Sequence, residues 1–471
     1  MIIGLDKIQA YIEENHIEMI DLKFSDLWGR WHHVTIPAAT QNLSLLESGV
    51  GFDGSSVGLR HVKSGDMALL PDWYTAFQDP FCEVPTLSYI CYPVEADSKI
   101  RFAGDPREIA RRAEAYMRTQ GIAQDSRWGP EFEFYVFSSV KIENQPNASG
   151  YWFDAVEGEW QRSLPGHGHT IPHHGGYHAI PPNDQLSGLR TRMSMTLQSI
   201  GVPVKYHHHE VGGPGQCEIE TPMLSLLSAC DAVQLVKYVT MNVAHAAGQT
   251  VCYLPKPLVG EAGSGMHFHQ QLFNGQKNLF YDADGPHQMS RTALYYIGGL
   301  LHHAPALLAL TNPSTNSYRR LIPGFEAPVN CFFSSGNRSA AIRIPKYATD
   351  EQDVRFEFRP PDATCNPYLA VAAMLMAGLD GIMQKIDPTE AGFGPINEDI
   401  FQWTEKERAQ IQGLPTSLET ALAALEVDHQ FLLAGDVFSA AMIKDWIDKK
   451  AEEVDEVNRR PHPYEIAMYF N

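Results

Sequence analysis

The sequence predicts an α+β chain in two parts: a small N-terminal module over 1–104, then a catalytic-sized unit over 105–471 with a mainly antiparallel sheet and surrounding helices. Three observations predict it. At 471 residues, with 44% hydrophobic and 20% charged content, the chain is long enough for a large core or two domains. Strand candidates recur along the second part with helices falling between them, at a spacing that suits antiparallel pairing. Between the parts, Asp105-Pro106 reads as a helix start and marks the boundary.

In chain order, the first part offers a helix over 5–15, strands over 17–26 and 30–36, and short β-like pieces to 93. A helix over 107–120 follows the boundary. Strands are then expected over 131–137, 203–211, 216–221, 265–273, 340–344 and 354–359, with helices over 187–200, 225–248, 292–310 and 368–383. Residues 144–182, rich in Gly, Pro and His, read as a long excursion. The last sixty residues are helical, over 417–433 behind a serine cap and over 440–458 with alternating charge. No internal repeat is evident.

Charge and cysteine content narrow the function. With 36 basic against 56 acidic residues, a net of −20, the chain lacks the electrostatic footprint for nucleic acid or an anionic membrane. Small molecules and further copies of the chain are the expected partners. Seven scattered cysteines, never spaced CxxC, fit a reduced, cytoplasmic compartment. The N-terminus has no signal-peptide pattern, and the apolar stretches near 293–311 and 370–383 are interrupted by His302, His303 and Asp380.

The stretch WGPEFEFYVF at 128–137 raises the chemical question. Strand alternation puts Glu131 and Glu133 on the face of Tyr135 and Phe137, with Phe132, Phe134 and Val136 on the other. Neither face suits open water, and unpaired buried carboxylates cost several kcal/mol each, so a counter-charge must be near. An arginine pair is one solution and a metal the other. Further polar sets share single faces: Arg355, Glu357 and Arg359; His267, His269 and Gln271; and, across a turn, His208 and Glu210 with Glu218 and Glu220. Five glutamates with one or two imidazoles favour Mg²⁺ or Mn²⁺ over structural zinc. Glutamates two apart start about 6.5–7 Å from each other, so each can serve a different ion. A two-metal site suits phosphoryl transfer, with Arg338, Arg343, Arg355 and Arg359 as added positive charge.

Those residues, with GFDGSS at 51–56, HHHEV and GQCE within 207–218, GSGMHFH at 263–269, NPSTNSYRRLIPGFEAPVN at 312–330, NRSAAIRIP at 337–345, RFEFRPPDATCNPYLA at 355–370 and RPHPYE at 460–465, resemble type I glutamine synthetase over essentially the whole chain. The resemblance implies an N-terminal β-grasp domain, a larger catalytic domain, and a dodecamer of two stacked hexamers with active sites between subunits. It implies that Glu133, Glu210 and Glu218 hold one divalent ion and Glu131, His267 and Glu357 another, either Mg²⁺ or Mn²⁺, with ATP as cosubstrate. Arg320 and Arg359 would clamp glutamate, with Gly263 in a loop over the pocket. Arg338, Arg343 and Arg355 would meet the ATP phosphates, and His269 would lie near the nucleotide. Tyr177 would line the ammonium site, Glu326 would sit on a closing flap, and Asp53 would reach in from the adjacent subunit to bind and deprotonate ammonium. The implied activity is ATP-dependent condensation of L-glutamate with ammonia through γ-glutamyl phosphate.

Some positions depart from that pattern. Ala262 replaces an asparagine expected to contact glutamate, Met223 a phenylalanine expected against adenine, and Gln271 and Gln352 a serine and a lysine of the nucleotide pocket. Phe401 stands where many members carry a tyrosine that is adenylylated, which removes that route of control. The stretch HGHTIPHHGGYH at 167–178 reads as a polar surface loop; its imidazoles can bind metal, but nothing in sequence fixes a coordination geometry. His208 is a candidate site member or a supporting residue. The other readings are a ligase that uses a larger amine, a non-catalytic scaffold or nitrogen sensor, and a metal-dependent hydrolase. Asp53 and Glu326 favour ammonium, six ligand positions argue against a scaffold, and the arginines argue against a hydrolase.

Overall fold

The computed structural model describes residues 4–39, 42–59, 65–163, 168–324, 327–398, 400, 403–408 and 411–470. The N-terminal elements are α1 (Leu5–Glu14), β1 (Met19–Ser25), β2 (Trp31–Pro37), α2 (Leu43–Ser48), β3 (Val50–Asp53), β4 (Asp66–Pro71), β5 (Phe77–Gln78) and β6 (Thr86–Glu95). They form a six-stranded sheet ordered β2-β1-β6-β4-β3, with β5 also on β6 and β1 parallel to β6. Alternation along β1 explains its placement. Ile20, Leu22 and Phe24 enter a core shared with Ile8 and Leu87, while Asp21 and Lys23 face the other way and form a buried ionic group with Asp79. β3 is an edge strand, and it carries Asp53.

Asp105 starts the second part by accepting hydrogen bonds from the Arg107 and Glu108 amides, which caps α3 (Pro106–Thr119). Then come β7 (Asp125–Phe137), β8 (Ser139–Gln145), β9 (Ala148–Asp154), α4 (Ser187–Ser199), β10 (Tyr206–His209), β11 (Gln216–Glu220), β12 (Leu224–Ser225), α5 (Leu226–Ala246) and β13 (Thr250–Cys252). The chain continues through β14 (Phe268–Asn274), β15 (Lys277–Asn278), α6 (Arg291–His302), α7 (Ala304–Thr311), α8 (Ser317–Arg320), β16 (Asn330–Ser334), β17 (Ala340–Arg343), β18 (Phe356–Phe358) and α9 (Pro367–Gln384). The central sheet runs β10-β11-β7-β14-β18-β17-β16, antiparallel except for the β16–β17 pair. Phe132, Phe134 and Val136 of β7 point into the main core with α5 and α9. Tyr135 and Phe137 stack in a separate small cluster on the opposite face. α9 has the length and apolarity of a membrane span, but it is packed inside the core. Its crossing with α6 is close: a methyl group on Gly299 would stand 2.1 Å from the Ala377 carbonyl oxygen.

Three expectations are refined. The helix expected over 292–310 is two helices, α6 and α7, bent by 73° with Pro305 in the first turn of α7. The excursion over 144–182 begins inside a two-stranded hairpin, β8–β9. The helix expected over 417–433 ends at Val427, and a short turn of helix, Gln430–Leu433, follows it.

Candidate active site

The face of β7 that carries Tyr135 also presents its glutamates, and the strand register decides what they meet. β11 pairs with β7 so that Glu218 lies opposite Glu133 and Glu220 opposite Glu131. Like charges directly opposite each other destabilise a sheet, so this register demands cations. Glu220 finds Lys205, whose Nζ is 2.7 Å away. On the other side of β7, β14 and β18 bring His269 opposite Glu357, and β17 brings Arg343 opposite Glu357. Backbone bonds continue the ladder towards the loop: the Glu131 amide donates to the His267 carbonyl at 3.0 Å and the Glu133 amide to the Gly265 carbonyl at 3.2 Å.

Two clusters result. In one, Glu131, His269 and Glu357 each offer a ligand atom within 4.8 Å of the others. Glu131 accepts from His267 Nδ1 at 2.9 Å and His269 Nε2 at 2.8 Å. Glu357, fully buried, pairs with Arg359 and with Arg343 at 2.8 Å. In the other, His208, Glu210 and Glu218 gather in the same way, with His208 Nε2 3.4 Å from Glu218 and Nδ1 3.9 Å from Glu210. Glu133 stands beside this second cluster and accepts from the Gly265 amide at 2.6 Å. The structure thus brings the expected ligands together with a different emphasis among histidines. His267 contacts Glu131, but His269 is the imidazole grouped with Glu131 and Glu357. His208 joins the second group.

The two clusters differ electrostatically. Burial raises the carboxyl of Glu131, but His269 and His267 override it and hold it well below the usual range. Burial likewise opposes ionisation of Glu357, yet Arg359 and Arg343 bring it down to about 2. In the second cluster the charge of Arg338 acts on Glu210 but is outweighed. Burial and the charge of Glu133 push Glu210 up to about 7, and burial with Glu131, Glu210 and Glu133 pushes Glu218 well above its ordinary value. Burial also lowers His208, leaving a neutral imidazole between carboxylates. His269 Nδ1 is buried with no hydrogen-bond partner among the described residues. These donors, crowded and rich in carboxyl oxygen, fit divalent cations with a preference for oxygen.

The whole second cluster, Glu133, and Glu131 with its neighbour His267 line one cavity of about 700 Å³; His269 and Glu357 are not among its lining residues. Four arginines and Lys205 also line it. Arg320 is buried and fixed by the Pro360 carbonyl at 2.7 Å and the Arg359 carbonyl at 3.1 Å, and it stands 3.3 Å from His267 Nε2. Arg338, Arg343 and Arg359 line the cavity with it, as do Tyr177, Ala262 and Gly263. Gly263 cannot carry a side chain here: a Cβ would lie 2.6 Å from the Pro255 carbonyl oxygen and 2.7 Å from Arg320 Cγ. The loop is braced from below, where Tyr135 Oη donates to the Ala262 carbonyl at 2.7 Å and Gln216 Nε2 to the Gly263 carbonyl at 3.0 Å.

Other expected residues stand apart. Arg355 is not among the lining residues; it donates to the Asp353 carbonyl at 2.9 Å and sits 5.6 Å from the ring of Tyr347, which does line the cavity. Asp53 does not line this cavity either. It lies exposed on β3, and hydrogen bonds from Ser55 and Ser56 hold its carboxyl below the ordinary value, so it is an anion at neutral pH. Gln271 donates to the carbonyls of Gln352 and Val354, at 2.8 and 3.0 Å, and Met223 packs on Gly129 beside His269. Glu326, Phe401 and His167 lie outside the described residues. Lys205, Tyr347 and His174 also line the cavity. Sequence reading passed over Lys205 and Tyr347, which sit at a strand end and in a loop where alternation carries no signal, and had His174 only as part of the polar stretch 167–178. Tyr135 was legible in principle, since it shares the glutamate face.

Comparison with known proteins identifies the family. A family model described as "Glutamine synthetase, catalytic domain" matches residues 103–469, and one described as "Glutamine synthetase, beta-Grasp domain" matches residues 16–95. A glutamine synthetase of Frankia alni is 46% identical over 472 residues, covering 99% of each chain, and one of Streptomyces coelicolor is 44% identical over 470 residues with the same coverage. The cryo-EM structure of Plasmodium falciparum glutamine synthetase superposes with a TM-score of 0.88 at 26% identity, covering 99% of this chain and 98% of that one. From residue 16 to residue 469, then, sequence and architecture give one answer: the chain belongs to the glutamine synthetase family.

Proposed function

We infer that the chain is an ATP-dependent ligase that condenses L-glutamate with ammonia to give L-glutamine. The observation that carries this is the presence, within one cavity, of four glutamates on or beside neighbouring strands together with the guanidinium groups of Arg320, Arg338, Arg343 and Arg359. A carboxylate wall alone suits metal-dependent hydrolysis. The facing arginines suit a reaction that must bring two anions together, here the γ-carboxylate of glutamate and the γ-phosphate of ATP.

In the reading these residues support, glutamate's γ-carboxylate oxygen displaces ADP from the γ-phosphorus. Ammonia then attacks the acyl carbon, and inorganic phosphate leaves. ATP and a divalent cation are used. We propose Mg²⁺ or Mn²⁺, two per site, with Glu131, His267 and Glu357 around one and Glu133, Glu210 and Glu218 around the other. When bound, such ions neutralise phosphate oxygens during transfer. The buried, doubly anchored Arg320 and its neighbour Arg359 are placed to clamp glutamate beneath the Gly263 loop. Arg338, Arg343 and Arg355 are assigned to the phosphates, Arg355 from behind Tyr347, and His269 to the nucleotide side. Asp53, Glu326 and Tyr177 are assigned to ammonium: its proton must leave before nitrogen can attack, and a carboxylate must take it. Asp53 does this from a neighbouring subunit in the homo-oligomer we propose, a dodecamer of two stacked hexamers. The seven free thiols support a cytoplasmic setting.

The test is glutamine formation from glutamate, ammonium and ATP with Mg²⁺ or Mn²⁺, run beside a panel of larger amines. Ammonium should be the preferred acceptor, and Glu131→Ala and Glu357→Ala should abolish turnover. Faster turnover of another amine, or activity undiminished in both variants, would overturn the reading.

A further inference from the structure

We infer that His173, His174 and Glu261 form an additional metal site at the mouth of the cavity, for a borderline transition cation of the Zn²⁺ class. One ligand atom from each of the three lies within 4.8 Å of the other two. The histidines belong to the polar stretch before Tyr177, while Glu261 lies 88 residues beyond His173 in the loop that carries Ala262 and Gly263. The fold therefore assembles the group; it is not a chance run of neighbours.

The details suit a cation. Glu261 is a buried residue whose carboxylate accepts from His173 Nδ1 at 2.7 Å and from the Gly213 amide at 3.3 Å. His174 adopts a left-handed backbone, φ 55°, and its ring stacks on that of His173 with centroids 3.9 Å apart. Its Nε2 faces the Gly260 carbonyl at 2.7 Å. Two stacked imidazoles repel each other when both are protonated, but as neutral rings they present lone pairs to a shared ion. Zinc–nitrogen and zinc–oxygen bonds of about 2.0–2.2 Å need donors about 3.3–3.5 Å apart, so side-chain movements of little more than an ångström close this set. His174 also lines the cavity, which leaves a fourth position open towards it.

Donor chemistry separates this site from the strand clusters. Two nitrogens and one oxygen favour Zn²⁺ or Co²⁺, whereas the glutamate-rich clusters favour Mg²⁺ or Mn²⁺. Location separates them too, because none of the three residues belongs to either strand cluster.

The experiment titrates Zn²⁺ into the full-length protein in millimolar Mg²⁺, against a chromophoric chelator, and counts bound zinc per chain. His173→Ala and Glu261→Gln are compared with wild type. Glu261→Gln keeps an acceptor for the Gly213 amide, so the fold should tolerate it, and far-UV circular dichroism checks both variants. Zinc that displaces Mg²⁺ from the strand clusters is common to all three proteins and cancels. Wild type should bind one equivalent more than either variant, and Co²⁺ should give a visible d–d band that both variants lose. Equal zinc in all three would reduce the group to a hydrogen-bonded clasp and overturn the proposal. Loss in His173→Ala but not in Glu261→Gln would also overturn it, since the carboxylate would then not be a ligand.

Discussion

Glu357 has no exposed surface, yet it keeps its charge because Arg343 and Arg359 sit against its two oxygens. Substituting it separates charge from shape. Glu357→Gln keeps the bulk but removes the charge and turns one acceptor into a donor facing a guanidinium, so kcat/KM for glutamine synthesis should fall at least about 100-fold and the melting temperature should fall as well. Glu357→Ala should lose activity similarly and also cost about 3 kcal/mol in denaturant unfolding, because two guanidinium groups lose their buried partner. The second cluster gives a pH signature. Glu210, pushed up to about 7, must release its proton before a divalent ion binds, so metal affinity should rise with pH through about 7 and fall about tenfold per unit below it for each proton displaced. Without metal the sign for stability is the reverse. A carboxyl raised in the folded state binds more protons there than when unfolded, so chelator-treated protein should lose stability as pH rises from about 4.5 to about 7. Calorimetric titration of Mg²⁺ at pH 6 and 8, and unfolding in chelator from about pH 4.5 to about 7, check both. Affinity independent of pH would remove Glu210 from the ligand set.

At the level of elements, the bend between α6 and α7 is held by one imidazole. His303 Nδ1 lies 2.8 Å from Asp428 and Nε2 3.1 Å from Asp380 of α9, and the ring stacks on Phe431 at 3.9 Å. Burial disfavours its charge, but the two aspartates outweigh that and raise its pKa above 6.5. The stabilisation is therefore complete below pH 6.5 and is lost as pH rises through the folded value. His303→Gln should cost about 2 kcal/mol at pH 6 and less at pH 9, measured by urea unfolding. A pH-independent loss would mean the ring acts by packing alone. The same region shows what sequence could not reveal. Residues 292–310 are apolar all round, so helical periodicity runs through the bend, and only Pro305 signals it. The β8–β9 hairpin was not read as one because its apolar face is short, Val140 and Ile142 opposite Phe153 and Tyr151, on strands that are otherwise mostly exposed. By contrast, Glu131, Glu133, His267, His269 and Glu357 were legible, since each lies on or beside a strand whose other face is plainly apolar. Which strand neighbours which was not: the register that sets Glu218 opposite Glu133 joins segments about eighty residues apart, and periodicity is blind to that.

At the scale of the molecule, the two sheets are tied through the helices. Arg107 of α3 makes a paired contact with Asp231 of α5 at 2.9 and 2.8 Å and reaches Asp72 of the N-terminal part at 2.9 Å. Asn366, capping α9, also donates to the Asp26 and Leu27 carbonyls at 3.2 and 3.1 Å. The N-terminal sheet is thereby held rigidly on its own catalytic part, but Asp53 on the edge strand β3 is exposed and does not line the cavity of its own chain. If Asp53 works on ammonium, it must do so across a subunit boundary. That has a distinctive consequence. Asp53→Asn and Glu357→Gln should each be nearly inactive alone, but denaturing and reassembling them together in equal amounts should restore activity. In a closed ring whose sites pair the N-terminal part of one subunit with the catalytic part of the next, random mixing makes about a quarter of the sites intact, so recovery should approach about a quarter of the wild-type rate. Mixing without reassembly should recover nothing. Absence of recovery after verified co-assembly would place Asp53 in the same site as Glu357 of its own chain, or outside catalysis altogether.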